Sequence, residues 1–166
     1  MVKILAKNSS LNFQALKFAV VLLTCGWTQC GSGSDTPAEY RELFHLPQDQ
    51  QEERFAQFSL EKQVDIYTYA MYVEPPLTRY ATYLAKNGKK VLPYLLRRLE
   101  AEKSDTAKAH LIYAFKEIHE RHYSLKNEHD TVESLRRVIA AMKDEYRRRQ
   151  CVEYLKIIED RPGFDS

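Results

Sequence analysis

The sequence predicts an all-α protein, an irregular multi-helix bundle built partly from antiparallel helix pairs. Three observations lead to this fold class. Only 5 glycines and 6 prolines occur among 166 residues, apolar residues recur at helical spacing, and no stretch alternates long enough to predict a strand. An apolar content of 44% is enough to fill one core.

The charge balance argues against a dedicated nucleic-acid-binding protein. The chain has 25 Lys and Arg against 23 Asp and Glu, a formal charge of +2, whereas such proteins carry a clear basic excess. Residues 1–30 contain three lysines and no acid, so the rest of the chain has 22 basic and 23 acidic groups. We therefore expect no nucleic-acid partner.

Residues 1–30 have the pattern of a secretory leader. Lys3, Lys7 and Lys17 precede the apolar stretch 18–25, and the small polar residues 31–34 follow. This order of positive, apolar and small residues is typical of a signal peptide. The apolar stretch is much shorter than the roughly 20 residues that cross a bilayer. Residues 31–36 are predicted to form a flexible tether.

The segment Leu22-Leu23-Thr24-Cys25 resembles the lipoprotein box of bacterial signal peptides. The resemblance implies that Cys25 receives a diacylglyceryl group, begins the mature protein and anchors it to the membrane. Two alternatives stay open: ordinary signal cleavage within 31–34, and an N-terminal helix buried in the fold. The leader thus predicts a bacterial cell-envelope protein, either a membrane-anchored lipoprotein or a soluble periplasmic protein.

The three cysteines are too few for a disulfide scaffold. Cys25, Cys30 and Cys151 also form no CxxC pair of the kind used for zinc or redox chemistry. Cys30 and Cys151 could pair in an oxidising compartment. However, Cys151 lies four residues before Leu155 on one helical stripe, which favours a packed thiol.

The helical domain is predicted over residues 37–161, with a tail over 162–166. Its first helix begins at a capping box made by Thr36 and Glu39 around Pro37, and it ends near His45. A second helix is expected over 49–58. A third begins at Ser59, is apolar on two faces, and ends at the prolines 75–76.

The remaining helices follow from apolar stripes and caps. A fourth helix runs from Leu77 to 87–88, where the glycine can end it, and a fifth spans 91–99. The sixth spans 107–118 after a cap at Ser104 or Asp105. After a polar link over 124–130, the stripe beginning at Val132 is expected to continue through Met142 and Tyr146 and to end with Val152, Leu155 and Ile158.

Residues 88–96, with 105–108 and 114–118, are similar to one helical hairpin of the HEAT type. That family stacks antiparallel helix pairs into solenoids that bind other proteins, so the resemblance implies a protein or peptide partner. A solenoid needs about three units, and the flanking segments do not repeat the pattern. We therefore expect HEAT-like packing within an irregular bundle.

The segment His119-Glu120-Arg121-His122 comes nearest to a metal motif. It is one residue short of HExxH, although histidines three apart could converge on a metal with Glu117 or His129 as a further ligand. This gives a metal-dependent hydrolase as an alternative function. Helical phase instead places His122 in the core stripe and His119 at its border. The favoured prediction has no catalytic residue, metal or cofactor.

Arg147, Arg148 and Arg149 provide a second alternative, binding of anionic lipid or nucleic acid. Asp144 and Glu145 interrupt this basic patch, so an ordinary solvated helix face is favoured.

The leading functional hypothesis rests on tyrosines near the Pro75-Pro76 corner. Tyr69, Tyr72 and Tyr83 lie off the main apolar stripes, and tyrosine is favoured at protein interfaces. We expect these three rings to form a partner surface. The sequence as a whole predicts an envelope-located helical interaction module and not an enzyme.

Overall fold

The computed structural model describes residues 36–164, which form an all-α multi-helix bundle with eight α-helices and no strand in that range. This confirms the predicted fold class. The leader and Cys25 lie outside the described residues. The helices are α1 (Ala38–His45), α2 (Gln48–Ala56), α3 (Leu60–Ala70), α4 (Arg79–Ala85), α5 (Leu92–Ala101), α6 (Asp105–Arg121), α7 (His129–Ala140) and α8 (Glu145–Asp160), with a short 3-10 helix at Gly88–Val91 before α5.

Helix α6 lies at the centre of this bundle. It packs against α4 and α8 and also contacts α3 and α5. Leu111, Ile112, Phe115 and Ile118 on α6 are fully buried, and together they occupy more than one side of the helix. An apolar surface of this width requires neighbours on several sides, and the other helices supply them.

The N-terminal helices are joined by a buried glutamine. Gln51 of α2 is 3% exposed, and its amide nitrogen donates to the carbonyls of Phe44 and Leu46 at 3.0 and 2.6 Å. Its amide oxygen accepts from Arg79 of α4 at 2.9 Å. Because an unpaired buried amide is costly, these bonds fix the α1–α2 turn relative to α4.

Helices α5 and α6 form the predicted consecutive pair. They contact each other across a connection of three residues, 102–104. The cap before α6 is Ser104, whose hydroxyl accepts from the backbone of Ala107 at 3.4 Å. Gly88 has a φ of +52°, a left-handed conformation that glycine adopts without steric cost, as expected at the end of α4.

Two predicted helix boundaries were wrong at the N-terminal side of the bundle. Thr36 makes no cap: Pro37 precedes α1, and no side-chain hydrogen bond caps the helix. Helix α3 ends at Ala70, well before the prolines, and the backbone of Leu77 then donates to the carbonyl of Ala70 at 2.9 Å. The corner is therefore a folded turn that closes on the end of α3.

The expected continuation of the α7 stripe to Tyr146 was also wrong. The chain leaves α7 after Ala140 and begins α8 under a cap from Asp144, whose carboxylate accepts from the backbone of Arg147 at 3.0 Å. Tyr146 and Val152 consequently lie on the outside of α8, 66% and 41% exposed.

Asp105 fastens the α7–α8 connection to the start of α6. One carboxylate oxygen accepts from the backbone nitrogens of Lys143 and Asp144 at 2.7 and 2.8 Å. The other lies 3.3 Å from the ammonium group of Lys108. The hydrogen bond from the Asp144 backbone is the largest cause that holds the pKa of Asp105 below its usual value, and the bond from the Lys143 backbone adds to it. A single carboxylate therefore determines where α8 begins relative to α6.

We expect the Asp105→Ala variant to lose about 1–2 kcal/mol of unfolding free energy, because two backbone donors and Lys108 lose a charged partner. Urea unfolding followed by circular dichroism at pH 7 measures the loss. The control is Asp130→Ala, which removes an exposed aspartate from the first turn of α7. An equal loss in the two variants would contradict the role given to Asp105.

Candidate partner-binding surface around Tyr72

Tyr72 is the residue of the corner that presents an aromatic ring to solvent. It lies just beyond the end of α3 and is 50% exposed. Its backbone nitrogen donates to the carbonyl of Tyr69 at 3.0 Å, so the main chain is fixed where the ring leaves it. The corner therefore holds Tyr72 in one place while half of its surface remains free.

The ring of Tyr72 rests on a histidine of the central helix. The rings of Tyr72 and His110 have centroids 5.9 Å apart and meet edge to face at 71°. The carbonyl of His110 accepts a 2.5 Å hydrogen bond from the hydroxyl of Tyr67. A T-shaped aromatic pair is attractive beyond its buried area, so His110 orients the exposed ring.

Polar groups with unused hydrogen-bonding capacity lie close to this ring. Nε of Arg98 and Nδ1 of His110 are buried and have no hydrogen-bond partner among residues 36–164. Burial raises the pKa of Tyr72, while the nearby Ser104 hydroxyl and Arg98 oppose that rise. Burial lowers the pKa of His110, and Arg147 adds to the effect. His110 is therefore predominantly neutral at pH 7.

The other two tyrosines of the predicted surface lie elsewhere. The ring of Tyr69 is half-buried and packs against Tyr40 of α1 with centroids 5.3 Å apart. Tyr83 is only 7% exposed, packs against Phe55 of α2, and donates from its hydroxyl to the carbonyl of Gln48 at 3.4 Å. This burial removes Tyr83 from the surface, and Tyr69 can add at most a ring edge.

The two histidines predicted as a metal pair occupy different environments. His119 is fully buried, and its Nδ1 already accepts from the backbone nitrogen of Leu125 at 3.1 Å. His122 is half-buried beyond the last turn of α6. Helical phase thus misassigned them, since His119 is the core residue. Within residues 36–164 no three His, Cys, Asp or Glu side chains are grouped closely enough to hold a metal ion.

Glu117, predicted as a further ligand, is instead a buried ion-pair centre. It is 2% exposed, and its oxygens lie 3.0 Å from the Lys116 ammonium and 2.7 Å from Nε of Arg121. Burial alone would raise the pKa of Glu117, but hydrogen bonds from Lys116, Arg121 and Tyr113 outweigh it and leave the pKa below its usual value. His129, the other predicted ligand, is exposed at the start of α7.

The three arginines of α8 do not share one environment either. Arg147 is half-buried, with its guanidinium 5.6 Å from the centre of the Tyr146 ring. Arg148 and Arg149 are exposed and line a shallow groove with Tyr146, Val152 and Glu153. The acidic side chain of Glu153 in the same groove offsets part of this positive charge. Binding of an anion there stays a prediction.

Cys151 is a core residue. Its side chain is fully buried, with 0% of its surface accessible to solvent. The thiol is free among the described residues. Burial raises the pKa of the thiol to about 12, so almost no thiolate exists at neutral pH.

We expect Cys151 to resist alkylation in the native protein, because the thiol is both inaccessible and protonated. Full-length protein is treated with iodoacetamide at pH 8 with and without 8 M urea, and modification of the Cys151 peptide is measured by mass spectrometry. The expected result is labelling in urea alone. Rapid labelling without urea would contradict the buried position.

Two residues of the Tyr72 surface, His110 and Arg98, were not predicted from the sequence. A signal for His110 was present, since it lies three residues after Ala107 and four before Ala114 on the α6 stripe. Arg98 had no such signal, because its position depends on how α5 meets the α3 corner. Among residues 36–164, no helix is both long enough and apolar enough to cross a membrane.

No protein-family model matches the chain, and neither the curated proteins nor the solved structures include a significant match. The resemblance to a HEAT-type hairpin therefore stays a prediction from the sequence.

Proposed function

We propose that this chain is an exported bacterial envelope protein whose helical bundle binds a protein or peptide partner through the surface around Tyr72. The observation that supports this most directly is a half-exposed tyrosine ring whose orientation is already set by His110. A ring that is fixed before binding loses little conformational entropy when a partner covers it.

The Tyr72 ring carries a hydroxyl group, which favours a polypeptide partner over a purely apolar one, because a polypeptide backbone offers both carbonyl acceptors and amide donors. Nε of Arg98 and Nδ1 of His110 are buried and are therefore not available to the partner. Interfaces typically combine such an aromatic centre with a few placed hydrogen bonds.

Tyr146 gives a matched control for this surface. It is more exposed than Tyr72, at 66%, but it lies on α8, where the guanidinium of Arg147 is 5.6 Å from the centre of its ring. A comparison of the two tyrosines therefore shows whether partner binding depends on exposure of the ring alone or also on its fixed orientation.

We expect a photo-crosslinking residue at position 72 to capture one defined envelope protein in living bacteria, whereas the same residue at position 146 captures none. In binding assays with the captured protein, Tyr72→Ser should raise Kd at least tenfold, since central interface tyrosines commonly contribute more than about 1.4 kcal/mol. The Tyr146→Ser variant should bind like the wild type.

The binding assay also discriminates between the functional classes. Affinity that changes little between 50 and 300 mM salt fits the Tyr72 surface, whereas a steep loss points to charge-driven binding through Arg148 and Arg149. Equal capture from positions 72 and 146 would contradict the proposed surface.

The envelope location rests on the leader. Its lysines, short apolar stretch and lipoprotein-box-like segment support export and attachment of a lipid to Cys25. A membrane anchor at that position would be joined to the bundle through the short segment before α1. The bundle would then meet its partner close to the membrane surface.

We expect Cys25→Ser to move the protein from the membrane fraction to the soluble fraction when the full chain is expressed in bacteria with its own leader. Intact-mass measurement should show a diacylglyceryl-modified N-terminus at Cys25 in the wild type only. Cys30→Ser, which leaves Cys25 in place, is the control and should remain in the membrane fraction. Unprocessed wild-type chain in the cytosol would contradict export and the lipid anchor together.

A further inference from the structure

The chain after α8 folds back onto the end of α6. We name residues 161–164 the C-terminal strap. The backbone nitrogen of Phe164 donates to the carbonyl of His119 at 2.9 Å, and the Phe164 ring lies 6.3 Å from the ring of His122. The guanidinium of Arg161 lies 3.5 Å from a carboxylate oxygen of Glu120. The described part of the predicted tail thus contacts two residues of α6 and the residue that follows this helix.

Gly163 brings the strap into direct contact with the α6–α7 loop. A Cβ atom at this position would lie 2.5 Å from the Ser124 hydroxyl oxygen and 2.7 Å from Ser124 Cα. No side chain fits at that distance, so only glycine allows this approach. The strap and the loop therefore cannot move independently while they remain in contact.

His119 lies between the loop and the strap and makes a bond to each. Its Nδ1 accepts from the backbone nitrogen of Leu125 at 3.1 Å, and its carbonyl accepts from Phe164. Since Nδ1 is an acceptor, the neutral ring carries its proton on Nε2. Nε2 is buried without a hydrogen bond of normal geometry among the described residues, and it lies beside the backbone of Arg161.

Protonation of this ring is incompatible with the closed arrangement. A second proton would occupy Nδ1 and face the Leu125 N–H, so two donors would point at each other inside a fully buried site. This repulsion between two donors is removed only if the ring turns away from Leu125 or if water enters the site. Either change disturbs the loop and the strap that meet at His119.

The charged groups around His119 do not prevent this destabilisation. Burial lowers the pKa of His119, and Lys126 of the loop adds to that effect, while the backbone of Arg161 in the strap and the carboxylate of Glu120 oppose it. The net pKa lies below the usual 6.5. The closed form thus binds fewer protons than the open form, so closure is favoured above pH 6.5 and weakens as the pH falls below it.

We propose that the C-terminal strap is a pH-sensitive latch in which protonation of His119 releases residues 161–164 from the end of α6. Release frees the Phe164 ring and uncovers the surface of His122 and Ser124 beneath the strap. The rest of the bundle stays folded, because the helix–helix contacts of α6 with α4 and α8 do not involve the strap. This proposal does not depend on the function proposed for the Tyr72 surface.

The test is amide hydrogen exchange of the full chain, measured by NMR between pH 7.5 and 5.0 and corrected for the intrinsic pH dependence of exchange. Protection of the Phe164 amide should fall by up to about tenfold per pH unit below pH 6.5, as expected for one linked proton. Protection of the Phe115 amide, in the middle of α6, should stay constant.

Three variants define the outcome. His119→Asn keeps an acceptor towards Leu125 but cannot be protonated in this range, so Phe164 protection should no longer depend on pH. His122→Asn should retain the wild-type dependence. Gly163→Ala should leave Phe164 unprotected even at pH 7.5, because the added Cβ meets Ser124.

The proposal is overturned if Phe164 protection in the wild type is the same at pH 7.5 and 5.0, or if the decrease persists in His119→Asn. Should His119→Asn fail to fold, the wild-type protein still decides the matter: the NMR titration midpoint of the His119 ring must coincide with the midpoint of strap opening. Two separate midpoints would exclude His119 as the trigger.

Discussion

The structure depends on the burial of a single helix, α6, on several sides at once. A helix with one apolar stripe needs one neighbour, but α6 has buried residues around most of its circumference and requires several. Helices α4 and α8 provide the most extensive cover, with α3 and α5 completing it. Because α8 is separated from α6 by α7, the core is complete only when the chain returns across α6 after α7.

Polar residues determine how these neighbours are placed around α6. An apolar surface alone tolerates small shifts of a covering helix, whereas a buried polar group must meet its partner or cost free energy. Asp105 meets the backbone before α8, and His119 holds Leu125 in the loop after α6. The start and the end of α6 each have such an anchor, so α6 positions its neighbouring loops as well as its neighbouring helices.

The sequence predicted the bundle, most of its helices and a cap at Ser104 or Asp105, because caps and apolar spacing are local properties of the chain. It did not predict the break between α7 and α8, since Met142 and Tyr146 continue the apolar stripe of α7 although Tyr146 points to solvent. The sequence pattern placed His119 at the border of the core, because its helical phase was compared with a single apolar stripe. Helix α6 is instead covered on several sides, so His119 is also buried. Tyr83 lies off the α4 stripe and is nevertheless buried against α2, a contact between helices that spacing within one helix does not encode.

Contacts between helices, which spacing within one helix does not reveal, also determine which exposed residue can act as a recognition site. Exposure alone would select Tyr146, which has more of its surface in solvent than Tyr72. However, an interface gains most from a ring whose orientation is set before binding, because less entropy is lost when it is covered. Tyr72 meets this condition: the folded corner fixes its backbone and His110 of α6 supports its ring. The central helix thus organises the core and, through His110, also the exposed ring on which partner binding is proposed to depend.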